Sequence, residues 1–83
     1  MSGTIVFYGS LAERLGRRVA FAIPPGGITV AELRQNLART YPDAAGELTG
    51  QSLRACVADM LAAEEFVVQP GDTVEFFPPV SGG

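Results

Sequence analysis

The chain has 83 residues, the length of one small domain, and its hydrophobic share of 47% is ordinary for a globular protein. Its formal net charge is −3 and it contains no run of basic residues, which argues against nucleic acid and against an anionic membrane as partners. No segment has the length and apolarity of a membrane span or the pattern of a secretory signal, so we expect a cytoplasmic protein.

Several side chains that commonly serve catalysis are missing. The chain has no histidine and its six basic residues are all arginines, so a Ser-His or Cys-His pair cannot form within it. The single cysteine, Cys56, lies in an apolar stretch and is interpreted as a packing residue. The glycine-rich "PPGG" lacks the context of a phosphate-binding loop. We therefore expect no metal site, no nucleotide bound by this chain and no catalysis by the chain alone.

The first part of the chain predicts two strands with a short helix between them. "TIVFYG" (residues 4–9) is a β-rich apolar run that ends at glycine, which predicts a buried strand. "SLAERLG" (10–16) predicts a short helix capped by Ser10. "RRVAFAI" (17–23) alternates large and small side chains, which predicts a second strand with one buried face, and "PPGG" (24–27) ends it.

The main helix is predicted over "TVAELRQNLARTYP". Thr29 is followed three residues later by Glu32, the pattern of a capping box, and Pro42 helps to end the helix. The apolar side chains form one stripe at helical spacing, made of Val30, Leu33, Leu37 and Tyr41. Three polar side chains fall outside that stripe: Arg34, Gln35 and Arg39.

The second half predicts a loop and then strands. "DAAGELTGQS" (43–52) has turn residues and little periodicity, so we interpret it as a loop. "LRACVADML" (53–61) returns to the alternation of a strand, "EEFVV" (64–68) predicts a short strand, and "TVEFF" (73–77) predicts the last strand after a "QPGD" turn.

This order of elements predicts an α+β fold of the β-grasp, or ubiquitin-like, class. We expect a mixed sheet of four to five strands packed on one main helix, with a short extra helix. Residues 1–77 would form a single domain, and residues 78–83 an extended, flexible tail that ends in Gly-Gly.

The ending "FFPPVSGG" is the most unusual stretch of the sequence. On the last strand Phe76 and Phe77 face opposite ways, so one fills the core while Phe77 is left for a partner to cover. Two prolines stop the strand and hold the chain extended, and two glycines give the end a backbone without side chains, which can pass through a narrow channel or lie close to a nucleotide. The predicted recognition segment is Pro78, Pro79, Val80, Ser81 and Gly82, with Gly83 as the reacting residue.

The tail resembles the ending of the small, sulfur-carrying subunit of molybdopterin synthase. "IVFYGSLAERLG" is similar to the opening strand and short helix of that family, "TVAELRQNLARTYP" to its main helix, and "VQPGDTVEFFPPVSGG" to its closing turn and strand. The resemblance is weakest over residues 43–66. One departure is that Asp59 and Met60 stand where the family often has an Asn-centred turn, so the hairpin there is not carried over.

The resemblance implies a function and a set of partners. An activating enzyme would use ATP and magnesium to adenylate the carboxylate of Gly83, and sulfur would then be installed as a thiocarboxylate. The tail would enter the large subunit of molybdopterin synthase, in a heterotetramer, and donate sulfur to a cyclic pyranopterin. The alternatives are a carrier for thiamine or another thiolation pathway, a ubiquitin-like protein modifier, and an interaction module with an idle Gly-Gly.

Overall fold

The structure, a computed structural model, describes residues 1–78. Its elements in chain order are β1 (Ser2–Phe7), α1 (Gly9–Leu15), β2 (Arg18–Ala22), β3 (Ile28–Thr29), α2 (Val30–Thr40), a 3₁₀ turn (Pro42–Ala44), α3 (Ala45–Leu48), β4 (Arg54–Val57), β5 (Met60–Leu61), β6 (Val67–Val68) and β7 (Thr73–Phe77). Among residues 1–78, no helix is long and apolar enough to cross a membrane.

A mixed five-stranded sheet organises the molecule, with strand order β2-β1-β7-β4-β5. β1 and β7 run parallel, whereas β1 with β2, β7 with β4, and β4 with β5 are antiparallel. β3 and β6 pair separately as a short two-stranded sheet. The predicted β-grasp fold is confirmed. Because β7 is the central strand, the chain reaches Pro78 between β1 and β4.

The core lies between the sheet and α2. The predicted helical stripe is confirmed, since Val30, Leu33 and Leu37 are fully buried and Tyr41 packs against the core. From the sheet, Phe7 and Phe76 are the largest buried side chains, with ring centroids 6.0 Å apart. Full burial of each such side chain contributes about 1.5–3 kcal/mol. We call the opposite side of the sheet, away from α2, the outer face.

The capping box predicted at the start of α2 is present. The Glu32 amide donates to Oγ1 of Thr29 at 3.1 Å, and the Thr29 amide donates to Oε1 of Glu32 at 3.0 Å. These bonds satisfy two backbone donors that the first helical turn leaves without partners. They also lower the pKa of the Glu32 carboxyl, chiefly through the bond from the Thr29 amide and secondly through the Thr29 hydroxyl.

The predicted cap of α1 is wrong. The helix begins at Gly9, with Tyr8 in the capping position, and Ser10 lies inside its first turn without capping it. The start moves one residue because Gly9 adopts a φ of +66°, a left-handed conformation that glycine reaches without steric cost. This shift brings Tyr8 to the end of β1, next to the last strand.

The interpretation of residues 43–52 as a loop is also wrong in part. Asp43 and Ala44 belong to the 3₁₀ turn, and Ala45–Leu48 form α3. Ala44 and Leu48 are buried in the core, so tertiary packing holds these short turns rather than a repeated apolar pattern.

Arg34, which falls outside the apolar stripe, is nevertheless buried, with 6% of its surface exposed. Its guanidinium donates to the backbone carbonyls of Leu48, at 3.1 Å, of Gly50, at 3.3 Å, and of Leu53. Its Nε pairs with Glu64 at 3.1 Å. Burying a charge is costly unless its hydrogen bonds are made, and here they hold the segment between α3 and β4 in place.

The hairpin between β4 and β5 forms despite its departure from the family's turn. Val57 pairs with Met60, and the two residues between them, Ala58 and Asp59, have φ of 53° and 65°. Positive φ at both central positions is the geometry of a type I′ turn, which matches the twist of the strands it joins. Aspartate tolerates this conformation better than most residues. At Ala58 the positive φ is unfavourable, and the pairing of β4 with β5 offsets that free energy.

Candidate functional site at the end of the last strand

The last strand separates its two phenylalanines as predicted. Phe76 is 0% exposed and lies in the core, whereas Phe77 is on the outer face and is 36% exposed. Pro78 follows, half-buried, as the last residue that the structure describes. The rest of the predicted recognition segment, Pro79, Val80, Ser81 and Gly82, and the predicted reacting residue, Gly83, lie outside the described residues.

An aromatic stack covers one side of Phe77. The Tyr8 ring is 4.6 Å from the Phe77 ring between centroids, with an angle of 6° between the planes. Such a pair contributes about 0.5–1.5 kcal/mol beyond the apolar area that it buries. Because Phe77 is also partly exposed, this side chain combines a fixed orientation with an accessible surface.

Tyr8 is further held by two charged side chains. Its hydroxyl donates to Oε2 of Glu75 at 2.5 Å, and the Cζ atom of Arg17 is 5.0 Å from its ring centroid. The hydrogen bond to Glu75 is the main cause of a raised pKa for Tyr8; desolvation and the Glu75 charge act in the same direction, while Arg17 opposes them. Tyr8 is therefore a neutral donor at physiological pH, and its ring lies close to both Arg17 and Phe77.

Gly9 lies directly beside the start of the tail. A Cβ atom at this position would be 3.3 Å from Cγ of Pro78, which is closer than ordinary van der Waals contact. Gly9 therefore serves in two ways: it leaves room for the Pro78 ring, and it adopts the φ of +66° without steric cost. Neither Tyr8 nor Gly9 was predicted as a site residue.

The cross-strand register defines the rest of the outer face. Val6 pairs with Arg18 and Glu75, and Cys56 pairs with Glu75 and Leu61, so these side chains form one row across the sheet. A second row, nearer the tail, places Arg54 beside Phe77. Leu61 is 66% exposed. The outer face near Pro78 thus presents aromatic and aliphatic surface together with arginines.

Cys56 lies within this face and not in the core. It is partly exposed, free of any disulfide, and flanked by Glu75 and Leu61 on the neighbouring strands. The interpretation of Cys56 as a packing residue therefore holds only for contacts along the sheet, because the core positions of β4 are Ala55 and Val57.

A groove of about 450 Å³ opens on the other side of Pro78. It runs between α1 and α3, and its lining includes Leu11, Gly50 and Leu53. Its carboxylate, Glu47, is engaged by Arg14, with Nη1 to Oε1 at 2.6 Å. Across the described part of the chain, no group of three His, Cys, Asp or Glu side chains is placed to hold a metal ion.

Comparisons with known proteins agree with this geometry. The model of the ThiS family matches residues 5–83. No curated protein matches the chain significantly. SAMP1 from Haloferax volcanii is 26% identical and superposes with a TM-score of 0.83, each chain being covered completely.

Two further solved structures share the fold at lower sequence identity. Small archaeal modifier protein 1 of Haloferax volcanii is 22% identical, with a TM-score of 0.82 over 95% of this chain and 98% of that one. A putative molybdopterin converting factor, subunit 1, from Pyrococcus furiosus is 17% identical, with a TM-score of 0.82 over 96% and 99% of the two chains.

Proposed function

The chain belongs to the ThiS family of ubiquitin-like sulfur carriers, and we propose that it carries sulfur as a thiocarboxylate on Gly83 for the assembly of molybdopterin. The observation that carries the sulfur-carrier part of the proposal is the family match, which covers residues 5–83. The central place of β7 in the sheet supports it, because the strand that precedes the tail is hydrogen-bonded to a neighbouring strand on each side.

The chemistry at Gly83 is supplied by other proteins. An α-carboxylate is ionised at neutral pH, with a pKa of about 3.5, and is a poor acyl donor. An activating enzyme would transfer AMP from ATP to this carboxylate, with magnesium and with release of pyrophosphate. A sulfur donor would then displace AMP and leave the thiocarboxylate.

The described residues serve recognition in this scheme. Phe77, stacked on Tyr8, offers apolar surface next to the tail, and Leu61 extends that surface across β4. A partner that covers these side chains would also receive the chain beyond Pro78. The catalytic side chains would belong to that partner, which agrees with a composition without histidine or lysine.

Among sulfur-carrier pathways, the ending "FFPPVSGG" favours molybdopterin. The acceptor would be a cyclic pyranopterin in the active site of a large synthase subunit, with which this chain would form a heterotetramer. Two loaded carriers in succession would supply the two sulfur atoms of the dithiolene.

A protein modifier is the second candidate. The observation that favours it is the shared fold with small archaeal modifier protein 1, which extends over nearly the full length of both chains. In that case the activated Gly83 would be joined to amines of other proteins, and sulfur would not reach a pterin.

The test begins with co-expression of the chain, the activating enzyme and a sulfur donor, followed by intact-mass measurement. The loaded carrier is then mixed with the purified large synthase subunit and cyclic pyranopterin. Formation of molybdopterin supports the proposal. A loaded carrier that yields no pterin product, but forms conjugates with other proteins, would replace it with the modifier function.

A further inference from the structure

The five-stranded sheet has a long free edge at β2. Among residues 1–78, β2 pairs with β1 on one side and lies at the end of the strand order. Consecutive residue pairs join the two strands, from Ser2 with Ala22 to Val6 with Arg18, so no bulge interrupts this edge. The strand at the other end of the sheet, β5, has only 2 residues. β2, with 5 residues, is therefore the longer free edge.

The hydrogen bonds with β1 show which residues of β2 direct their backbone outward. The Phe7 amide donates to the carbonyl of Arg17, and the Ile23 amide donates to the carbonyl of Met1, both at 2.9 Å. In an antiparallel pair the residues that bond to the neighbouring strand alternate, so the odd-numbered residues from 17 to 23 face β1. The even-numbered residues each direct one N–H and one C=O towards solvent. They are Arg18, Ala20 and Ala22, and all three are exposed.

The side chains of β2 leave this edge open. Proteins commonly protect an edge strand with lysine, proline, a bulge or an inward-pointing charge. β2 has the sequence RVAFA and carries one charge, at Arg18, which is followed on the same face by the small Ala20 and Ala22. On the other face, Val19 and Phe21 are half-buried and pack against the core. The edge thus combines exposed backbone groups with small and apolar side chains.

We infer that β2 is a pairing surface for a second copy of this chain, whose own β2 lies antiparallel to it across a twofold axis at Ala20. In this register Ala20 is opposite Ala20 of the second copy, and Arg18 is opposite Ala22 of the second copy. All the outward N–H and C=O groups of the two β2 strands are then hydrogen-bonded, and the two sheets become one continuous sheet.

The sequence of β2 is complementary to itself in this register. Its one charge, Arg18, faces an alanine and not the second Arg18, so like charges are not opposed. On the core side, Val19 faces Phe21 of the second copy at two symmetric places. Pairs of an aromatic with a β-branched side chain stabilise neighbouring strands. A second copy supplies both features through symmetry, and this is why it is the occupant that we choose.

The pairing is independent of the C-terminal tail. β1 lies between β2 and β7, so a second copy at β2 does not contact the strand that leads to Pro78. The inference therefore does not rest on the proposed function. Since one strand pair makes a small interface, we expect a weak dimer, with a Kd on the order of 0.1 mM.

Two variants with the same substitution test the register. Ala22→Glu places a carboxylate opposite Arg18 of the second copy at two symmetric places, whereas Ala20→Glu places two carboxylates opposite each other. From the usual strength of cross-strand charge pairs, we expect Kd to be roughly fivefold lower for Ala22→Glu and roughly fivefold higher for Ala20→Glu. The two variants have the same net charge, so each is the matched control of the other. Sedimentation equilibrium between about 10 μM and about 1 mM measures Kd for both and for the chain without substitutions.

Hydrogen exchange of backbone amides locates the contact. In the single chain the amides of Val19 and Phe21 are bonded to β1 and should be protected, whereas those of Arg18, Ala20 and Ala22 should exchange freely. Raising the concentration from about 10 μM to about 1 mM should slow exchange of these three amides roughly fivefold, in proportion to the dimer that forms. The amides bonded to β1 should change little.

Three results would contradict the inference. The first is a chain that remains a monomer at about 1 mM, well above the expected Kd. The second is a dimer whose Kd is the same for Ala20→Glu and Ala22→Glu, or in which the three outward amides still exchange freely, because the contact then lies elsewhere. The third is protection that appears only when another protein is added, which would assign this edge to a different partner. Thermal unfolding confirms that both variants are folded, and none of these measurements depends on sulfur loading at Gly83.

Discussion

At the scale of single residues, the two adjacent phenylalanines of β7 have different roles. Phe76 fills the core and Phe77 lies on the outer face, stacked on Tyr8. Truncating Phe76 leaves a cavity in the core, whereas truncating Phe77 removes a half-exposed ring and its stacking contact.

This difference gives the first prediction. Phe77→Ala should lower the free energy of unfolding by no more than about 1.5 kcal/mol, but should strongly weaken binding to the adenylating enzyme. Phe76→Ala is the matched control and should cost about 3–5 kcal/mol of stability. Denaturant unfolding and a binding titration measure both quantities. A Phe77→Ala chain that unfolds as easily as Phe76→Ala and binds normally would place Phe77 in the core and contradict this account.

Gly9 gives a second prediction at this scale. In Gly9→Ala the new Cβ would meet Cγ of Pro78 at 3.3 Å, so the Pro78 ring must move by a few tenths of an ångström at the point where the tail begins. We expect kcat for adenylation to fall while KM for the carrier changes little. The side chains proposed for recognition, Phe77 and Leu61, are unchanged, whereas the end that reacts is misplaced.

The control for Gly9→Ala separates strain from contact. Gly71→Ala has the same kind of strain, with a φ of +93°, but its Cβ would meet nothing within 4 Å. Both variants should lose about 1–2 kcal/mol of stability, and only Gly9→Ala should lose adenylation rate. Equal kinetics for the two variants would show that Gly9 has no role in placing the tail.

Sequence reasoning identified Phe77 but not Tyr8 or Gly9. The period of two along β7 is enough to put Phe76 and Phe77 on opposite faces. Tyr8 becomes a neighbour of Phe77 only because β1 and β7 are parallel and adjacent, and strand order cannot be read from the period of either strand. A structural pairing between residues that are far apart in sequence was the missing information.

At the scale of elements, α2 is the best-predicted part of the chain because its signals are local. The capping box joins two residues three positions apart, and the stripe repeats within one helix. The segment 43–52 lacks both signals. Its short turns are held by the burial of Ala44 and Leu48 in the core. The stretch that follows α3 is held by Arg34, whose long side chain reaches the interior from the edge of the stripe and donates to backbone carbonyls there.

The capping box predicts how stability depends on pH. Folding lowers the pKa of Glu32 below its ordinary value of 4.5, so the ionised carboxylate contributes stability that is present above pH 4.5. That contribution is lost as the pH falls through the lower, folded-state pKa. Denaturant unfolding of the unmodified chain and of Glu32→Gln should differ by a constant amount above pH 4.5 and by less below it. A difference that grows towards acid pH would contradict the assigned bonds.

At the scale of the whole molecule, the fold holds the start of the C-terminal tail next to a surface that a partner can cover. The central strand of the sheet leads to Pro78, and the outer face beside it gathers aromatic and cationic side chains. The fold class followed from the order of elements, whereas the pathway that the carrier serves depends on the acceptor, which is another protein's site.

In the proposed function Gly83 carries sulfur, and the intact mass of the chain tests this most directly. After co-expression with the adenylating enzyme and a sulfur donor, the chain without substitutions should gain mass. The gain should equal the difference between one sulfur and one oxygen atom, and fragmentation should locate it on Gly83. A chain lacking Gly83 should fold normally and gain nothing. A complete chain that stays unmodified under conditions that load a known carrier, or a truncated chain that is still loaded, would contradict the account.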